Sequence, residues 1–319
     1  MKFKFFHNGI LENISSQKRH VIRNVIINAS QWLHLQVSID TACSSALVGV
    51  HTGVQHLQRT GVSILAGGIN LMLSERTTAA AQVAGMLNLE GRCKTLDAAA
   101  DGYVRAEACI IARIDPLQPE SHASARNEPP SVDQPSMGTR PRIGPQQPDV
   151  ILSGTCVNQD GRSSSLTAPN GPSQQMVIRG GLADAALESW QVSGLEMHGT
   201  GTPLGDPIEV GAATAVLQSR VLPLRMTAAK SRVGHAEPAA GVVGILQANV
   251  QLSRAEALRL THLRTVNPLV GGILASAAAK GDGWPTLPRQ DGPGVAAAAA
   301  HGLDESVGIN SFAFQVSLL

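Results

Sequence analysis

The chain has 319 residues, of which 43% are hydrophobic and 15% are charged, so it is long and apolar enough for one large or two fused globular domains. Its formal net charge of +1 gives no electrostatic case for nucleic acid or an anionic membrane as the main partner, and it favours a small-molecule or protein-borne substrate. The four cysteines form no CxxC pair or Cys/His cluster, and the sequence shows no membrane-spanning run or secretory signal, so we predict a reduced, cytoplasmic protein that uses no metal or cofactor.

The first clear elements lie around residue 40. The runs VSID (37–40) and VSILAGGI (62–69) are short, rich in β-branched residues and followed by turn signals, which is typical of strands. Between them, SSALVGVHTGVQHLQ has the period of a helix whose apolar face consists of Ala46, Leu47, Val50, Val54 and Leu57. Strand, helix and strand in this order predict a βαβ unit.

Two stretches of biased composition divide the rest of the chain. Residues 116–148 are rich in proline and polar side chains and show no apolar period, so we predict a disordered insertion, and residues 275–305 are similarly low in complexity. The other predicted elements are strands at 150–157 and 195–199 and helices at 172–188, 208–218 and 239–252. The alternation predicts an α/β protein with a first half at 1–115 and a second half at 149–319.

Cys43 is the first candidate for chemistry. It falls where strand 37–40 ends and the next helix begins, in the stretch DTACSSAL. There its sulfur should lie near unpaired backbone N–H groups and the positive end of the helix dipole, which favours the thiolate form that acts as a nucleophile. A buried structural cysteine is the alternative, because one short motif does not decide between the two.

Two histidines are the candidate partners of this thiol. His198 ends the predicted strand 195–199, and His235 lies in KSRVGHAEPAAGVVG, which we also assign to a strand end. Glycines beside both histidines would let an imidazole edge face a cavity, although a satisfied core histidine is the alternative for each. Ligands of open α/β sheets collect beyond the carboxyl ends of the strands, so we expect Cys43, His198 and His235 to meet there.

Lys230 adds a cation five positions before His235. It could take part in the chemistry directly, or it could only form a structural salt bridge with Glu237 or Asp206. The residues alone leave both open.

Five blocks of the chain carry a resemblance to a known family. They are DTACSSAL, GRCKTLDAAADGYVRAEA, VNQDGRSSSLTAPNGPSQQMVIRGGL, EMHGTGTPLGDPIEVGA and KSRVGHAEPAAGVVGIL. In order and approximate spacing they resemble the signature segments of the β-ketoacyl synthase domain of polyketide synthases, which is related to the condensing enzymes of fatty-acid synthesis. The resemblance implies a thiolase-like fold of two similar halves in α-β-α-β-α layers, usually paired as a homodimer. It also implies an acyl carrier protein partner whose phosphopantetheine carries acyl and malonyl groups.

The resemblance further implies a role for each candidate residue. Cys43 would accept the acyl chain, and His198 and His235 would serve the decarboxylation of the malonyl group. The implied supporting residues are Lys230, Asp206, Glu237 and Phe314, the last in the carboxyl-terminal NSFAF turn. These residue types suit the reaction, because a thiolate can hold an acyl group as a thioester and N–H donors can stabilise an enolate.

The chain also departs from the pattern of the family. Only about forty residues precede Cys43 and the first thirty do not resemble the usual opening block, so we expect a truncated and incomplete first half with exposed sheet edges. Alanines replace the usual glycines at Ala106 and Ala108, and Arg232 replaces an asparagine. The ending SFAFQVSLL lacks the expected glycine-threonine-asparagine turn, which bears on the geometry of the oxyanion site.

Three hypotheses about the function therefore compete. The first is an active β-ketoacyl synthase that condenses an acyl-cysteine with malonyl-acyl carrier protein in polyketide or fatty-acid synthesis. The second is a truncated, inactive relative that acts as a partner or scaffold subunit. The third is a cysteine hydrolase or acyltransferase that uses Cys43 and one histidine. Retention of the cysteine and both histidines favours the first over the second, since dimer packing requires none of these side chains, whereas the missing opening block favours the second.

Overall fold

The computed structural model describes residues 2–6, 25–29, 36–117, 150–161, 168–217, 223–254, 258–279, 306–313 and 316–318. The predicted insertion at 116–148 and the stretch at 275–305 lie largely outside these residues. The described part of the chain forms two main sheets and one small sheet, with helices between and beside them. Among its helices, none combines the length and the apolar character that crossing a lipid bilayer demands.

The first sheet has five strands and carries the cysteine turn at one edge. Its strands are β1 Lys2–Phe6, β2 Val25–Ala29, β3 Gln36–Ile39, β4 Ile64–Asn70 and β5 Ala108–Asp115. Their order is β1-β5-β4-β2-β3, and every neighbouring pair is antiparallel. β3 is therefore an edge strand, and its carboxyl end leads into the turn that holds Cys43.

The helix α1, Ser45–Thr60, connects β3 to β4. Because both strands are antiparallel to β2, they run parallel to each other with β2 between them, so the strands of the predicted βαβ unit are not neighbours. The helix ends where Gly61 adopts φ +68 and donates its N–H to the carbonyl of Leu57 at 2.8 Å. The predicted apolar face is confirmed, since all its members are buried: Ala46, Leu47, Val50, Val54 and Leu57.

The second sheet is parallel. Its central strand is β7 Val192–Glu196, flanked by β8 Arg225–Thr227 and β9 Ser306–Ile309. Helix α6, Ala240–Arg254, lies between the two sheets: its Val242 and Ile245 share a core with α1, β4 and β5, while a Cβ at Gly244 would meet Ile309 Cγ2 at 3.2 Å. A second core joins this sheet to α3 Gly171–Ala185, α4 Gly205–Val216 and α7 Pro268–Ala279.

The remaining elements are short or peripheral. They are α2 Glu75–Val83, α5 Lys230–Val233, the 3-10 turns Ser189–Gln191 and Glu237–Ala239, and the small antiparallel sheet of β6 Val157–Gln159, β11 Val316–Leu318 and β10 Ser311–Ala313. The layer order of sheet, helices, sheet and helices agrees with the predicted layered α/β class. The helices predicted at 172–188, 208–218 and 239–252 match α3, α4 and α6 to within a few residues.

Three strand assignments from the sequence need correction. The strand predicted at 195–199 is β7, Val192–Glu196, so His198 lies two residues beyond its end. In the stretch 150–157 the strand begins only at Val157, because the N–H of Thr155 donates to the Asp184 carboxylate at 2.7 Å instead of to a neighbouring strand. His235 does not end a strand. It follows α5, and its backbone makes an isolated parallel pairing with Arg105 through the bonds His235 N–H to Val104 carbonyl and Ala106 N–H to His235 carbonyl.

Candidate active site

Cys43 lies in a tight turn between β3 and α1. The turn is a single 3-10 turn, Ala42–Ser44, that leads directly into the helix, and Ala42 has φ +54 in the left-handed region that residues with a Cβ rarely occupy. Ser45 ties the turn together, since its Oγ accepts the Thr41 N–H at 2.8 Å and donates to the Ala42 carbonyl at 2.7 Å. The thiol therefore occupies the junction of strand and helix that the sequence predicts.

His235 is in direct contact with the thiol. Its Nε2 lies 3.0 Å from Cys43 Sγ, and its Nδ1 accepts the backbone N–H of Glu237 at 3.2 Å. A ring nitrogen that accepts a hydrogen bond carries no proton, so in the neutral ring the proton is on Nε2 and faces the sulfur. Burial, helped by the cations of Lys230 and Arg105, holds the pKa of His235 well below its ordinary value. The ring is thus a neutral N–H donor near pH 7.

His198 completes the cluster from the second sheet. Its ring centroid lies 5.5 Å from that of His235, with the two planes at 89°. The residue follows β7, and its backbone N–H and that of Gly199 donate to the two carboxylate oxygens of Glu209 at 2.7 and 2.9 Å. Burial, together with Lys230 and His235, lowers the pKa of His198 well below its ordinary value. Two neutral imidazoles therefore meet edge to face, and that of His235 contacts the thiol.

Lys230 supplies a buried positive charge to this cluster. The residue is 5% exposed, and burial lowers the pKa of its ammonium group, while the carboxylates of Glu196 and Glu209 and the sulfur of Cys43 act in the opposite direction. Its electrostatic partners are thus carboxylates that the sequence does not single out. One of the two predicted partners, Glu237, needs correction, because it forms its ion pair with another residue.

That other residue is Arg105. Its Nε and Nη2 bind the two carboxylate oxygens of Glu237 at 2.8 and 2.9 Å, and both residues are buried. The pKa of the guanidinium is raised, chiefly by its hydrogen bonds to Glu237. Arg105 is not among the predicted site residues, although it lies in the quoted block DGYVRAEA.

Asp206 and Glu209, both on α4, hold the loops around His198. Asp206 accepts the N–H of Leu96 at 2.7 Å and that of Gly201 at 3.1 Å, and burial raises its pKa to about 6. Burial likewise raises the pKa of Glu209 to about 7, although it accepts the N–H groups of His198 and Gly199. Asp206 thus binds two backbone N–H groups near His198, and its supporting role stays a prediction. Glu209, which is not among the predicted site residues, binds the backbone of His198 itself.

Glu196 is a second missed carboxylate. It ends β7 and accepts hydrogen bonds from Thr227 Oγ1 at 2.7 Å and Gln247 Nε2 at 2.6 Å, so it links β8 and α6 to the site. Burial raises its pKa. Its charge near Lys230 identifies it as a counter-ion of the buried lysine, and the alternation of strand residues in LEMHG gives no hint of that role.

The carboxyl-terminal part of the predicted site is described only at its start. Phe314 lies outside the described residues, so its role stays a prediction. Asn310, four residues earlier, donates its N–H to the Glu196 carbonyl at 2.8 Å and its amide to Glu209 at 3.2 Å. The unexpected Arg232 is exposed and donates to the Arg259 carbonyl at 3.0 Å, so this departure lies at the surface.

Comparisons with known proteins find families and individual proteins whose sequences are similar to most of this chain. Residues 28–118 match the family described as "Beta-ketoacyl synthase, N-terminal domain", and residues 150–264 match "Beta-ketoacyl synthase, C-terminal domain". One of the proteins that make up the phenolphthiocerol/phthiocerol polyketide synthase of Mycobacterium tuberculosis is 36% identical over 276 residues, which is 85% of this chain and 12% of that protein. An erythronolide synthase of Saccharopolyspora erythraea is 37% identical over 239 residues, or 74% of this chain and 6% of that protein.

The solved structures that are similar to this chain are also ketosynthases. The ketosynthase from module 6 of the bacillaene synthase of Bacillus subtilis aligns with 88% of this chain and 46% of its own, with a TM-score of 0.69 and 27% identity. An oxazolomycin ketosynthase domain of Streptomyces albus aligns with 89% of this chain and 45% of its own, with a TM-score of 0.70 and 25% identity. The chain thus spans less than half of these structures and a small fraction of the curated relatives.

Proposed function

The chain belongs to the β-ketoacyl synthase family of thiolase-like fold, as its five sequence blocks predict, and from this premise we propose that it is a ketosynthase. Its reaction is the decarboxylative Claisen condensation of a cysteine-bound acyl chain with a malonyl thioester, an acyltransferase reaction of the 3-oxoacyl synthase type. The observation that carries the proposal is the contact of His235 Nε2 with Cys43 Sγ at 3.0 Å, with the His198 ring 5.5 Å from that of His235.

Loading of the acyl chain is the first step. The Cys43 thiolate attacks the carbonyl of an acyl thioester, and the carrier thiolate leaves as the acyl-cysteine bond forms. One thioester replaces another, so the step is nearly balanced in energy. The N–H of His235 supports the sulfur while it carries negative charge, because the proton of the neutral ring is on Nε2.

Decarboxylation is the second step. When a malonyl thioester loses carbon dioxide, its remaining electron pair becomes an enolate with negative charge on the thioester oxygen. The N–H groups of His198 and His235 are the proposed donors to that oxygen, and the pKa shifts of both rings keep them neutral. The buried cation of Lys230 adds a favourable field for the anion.

Condensation completes the cycle. The enolate carbon attacks the carbonyl of the acyl-cysteine, the new carbon–carbon bond forms, and the Cys43 thiolate leaves. The product is a β-ketoacyl chain on the malonyl carrier. We assign the transient oxyanion to backbone N–H groups, namely that of Cys43 and, by resemblance, that of Phe314.

We assign a polyketide substrate class, because the relatives found are polyketide synthases. The proposed partner is an acyl carrier protein with phosphopantetheine-linked acyl and malonyl groups, as the family resemblance implies. A cytoplasmic location accords with the four cysteines, all of which are free thiols. The scaffold and the cysteine hydrolase remain the alternatives. The paired neutral imidazoles favour condensation over both, because hydrolysis needs only one imidazole and a scaffold needs none.

The direct test is a condensation assay with the 319-residue chain. Purified protein receives an acyl thioester and malonyl-acyl carrier protein, and mass spectrometry follows the carrier. We expect a carrier-bound β-ketoacyl product together with carbon dioxide. Acyl release as a free acid without any carbon–carbon product would support the hydrolase, and acyl and malonyl thioesters left unchanged would support the scaffold.

We also propose that two copies pair through β3. Among the strands that the structure describes, β3 is an edge of the first sheet and Ser38 on it is exposed, and an open edge is a template for pairing with another strand. Light scattering should then give a mass near twice 33.3 kDa. A Ser38→Lys variant should shift towards monomer, since it places a positive charge from each copy in the paired edge, whereas Thr60→Lys at the exposed end of α1 should not. A dimer unaffected by Ser38→Lys would contradict pairing through this edge.

A further inference from the structure

A buried ion pair lies directly behind His235. Arg105 binds Glu237 through two parallel hydrogen bonds of 2.8 and 2.9 Å, and its remaining Nη1 donates to Thr77 Oγ1 at 3.0 Å and Thr78 Oγ1 at 2.6 Å. The two side chains are only 3% and 11% exposed, so both charges are almost fully removed from water. Two forked bonds and two hydroxyl acceptors leave this guanidinium with little freedom to move.

Both members of the pair are connected to His235 by backbone. Arg105 lies opposite His235 in the isolated parallel pairing, where the His235 N–H reaches the Val104 carbonyl at 2.7 Å and the Ala106 N–H reaches the His235 carbonyl at 2.9 Å. Glu237 is two residues beyond His235 and donates its own N–H to the ring nitrogen Nδ1. The pair therefore joins the two chain segments between which the imidazole is held.

The backbone of Glu237 is itself in an uncommon conformation. Its φ is +42, a left-handed value that costs a residue with a Cβ about 1 kcal/mol or more. This conformation places the N–H against His235 Nδ1, and the neighbouring Ala239 packs so closely on β4 that a Cβ at Gly68 would lie 2.7 Å from its Cα. The carboxylate held by Arg105 is the side-chain anchor of that conformation.

We propose that the Arg105–Glu237 pair is a positioning device for His235, which fixes its ring orientation and keeps its proton on Nε2, opposite Cys43. The proposal rests on the ketosynthase function for its catalytic consequence. Neither side chain is assigned contact with substrate, so both act through the histidine. If the N–H of Glu237 left Nδ1, the proton could move to that nitrogen, and an unprotonated Nε2 would repel an enolate oxygen instead of stabilising it.

A purely structural role is the competing explanation. Buried ion pairs are weak evidence for stability, because an apolar replacement of both partners is often neutral while removal of one partner is costly. The two roles differ in what a variant changes. Loss of stability alone affects every activity equally, whereas loss of positioning affects decarboxylation and the tautomer of one ring.

The test compares Glu237→Gln and Arg105→Lys with the unmodified chain. For both we expect acyl loading of Cys43 to stay within about 2-fold, while carbon dioxide release from a malonyl thioester falls roughly 10- to 100-fold, the scale of a small misplacement of a catalytic group. Asp115→Asn is the matched control, because it breaks the more exposed Arg113–Asp115 pair, 2.8 Å long, on the outer part of β5. This control should leave both activities unchanged.

A second readout does not depend on activity. NMR of isotopically labelled histidine distinguishes the two ring tautomers, and the His235 signals are assigned by their absence in His235→Ala. We expect the Nε2–H form in the unmodified chain and a shift towards Nδ1–H in Glu237→Gln. An Nδ1–H form in the unmodified chain would overturn the proposal. If the unmodified chain releases no carbon dioxide, the ketosynthase function fails, and the tautomer result still decides the positioning role.

The double variant Arg105→Met/Glu237→Gln is the control for a folding defect in the single variants. It removes both buried charges, so its thermal unfolding midpoint should approach that of the unmodified chain even if the single variants unfold earlier. Decarboxylation should remain slow in this variant. Recovery of the full decarboxylation rate would show that the ring needs no ion pair to be positioned, and would overturn the proposal.

Discussion

Replacing Cys43 with alanine is expected to abolish acyl loading, and with it all condensation, when the protein is incubated with an isotopically labelled acyl thioester. Two of the three other cysteines are poorly suited to take over the step. Cys93 is buried, and burial raises its pKa to about 11, while burial also raises the pKa of Cys156. Among the described thiols, Cys43 contacts an imidazole N–H at 3.0 Å from a turn at a helix start. Intact-mass measurement and peptide mapping check both the amount and the site of labelling.

Cys109→Ala is the matched control for this experiment. Cys109 is an exposed thiol on β5, so it tests whether the label simply follows accessibility. We expect Cys109→Ala to load as the unmodified chain does, and Cys43→Ala to lose at least about 100-fold in loading. Labelling that persists in Cys43→Ala and disappears in Cys109→Ala would contradict the assignment of the nucleophile.

The sequence predicts the parts of the site that local pattern and long motifs encode. The apolar face of α1 and the strand before it place Cys43 at a junction of strand and helix, and the structure has it there. The blocks around His198 and His235 predict that these rings meet the thiol, because parallel strands open at the same edge. His235 does contact the thiol, but not for that reason: Cys43 follows β3 of the antiparallel first sheet, His198 follows β7 of the second sheet, and His235 arrives from a loop after α5.

The supporting residues are harder to predict because their partners are far apart in sequence. Lys230 and Glu237 look like neighbours on the chain, yet Glu237 binds Arg105, which precedes it by more than a hundred positions. Glu196 is hard to predict for the same reason, because its hydrogen-bond partners lie on β8 and α6, far from it in sequence. Charge pairing of this kind depends on which segments pack together, and periodicity along one segment carries no information about that choice.

The sequence pattern does not predict the uncommon backbone conformations either. Ala42 and Glu237 both have positive φ, and neither residue type indicates a left-handed conformation in the way that glycine does. One precedes the thiol and the other follows the histidine that contacts it. Both conformations persist because surrounding contacts hold them, so two of the five described residues that combine a Cβ with positive φ lie beside Cys43 and His235.

His235→Ala is expected to separate the two half-reactions. Removal of the Nε2–H group takes away one of the two proposed donors to the enolate oxygen, which costs about 100- to 1000-fold in the rate of carbon dioxide release from a malonyl thioester. Acyl loading should fall by no more than about 10-fold, because thioester exchange needs the thiolate and only one supporting hydrogen bond to it. Single-turnover measurements of labelled Cys43 and of released carbon dioxide separate the two steps.

The control is His262→Asn, which removes a part-exposed imidazole elsewhere while asparagine tolerates the φ of +67 at that position. Both half-reactions should be unchanged in it. Equal losses of loading and decarboxylation in His235→Ala, with a lowered unfolding midpoint, would mean that His235 supports the fold and not the enolate. Equal losses at an unchanged midpoint would instead assign its main role to the sulfur. An unequal loss on the decarboxylation side is what a neutral donor aimed at a developing oxyanion must produce, since that charge exists only after the malonyl carboxylate has left.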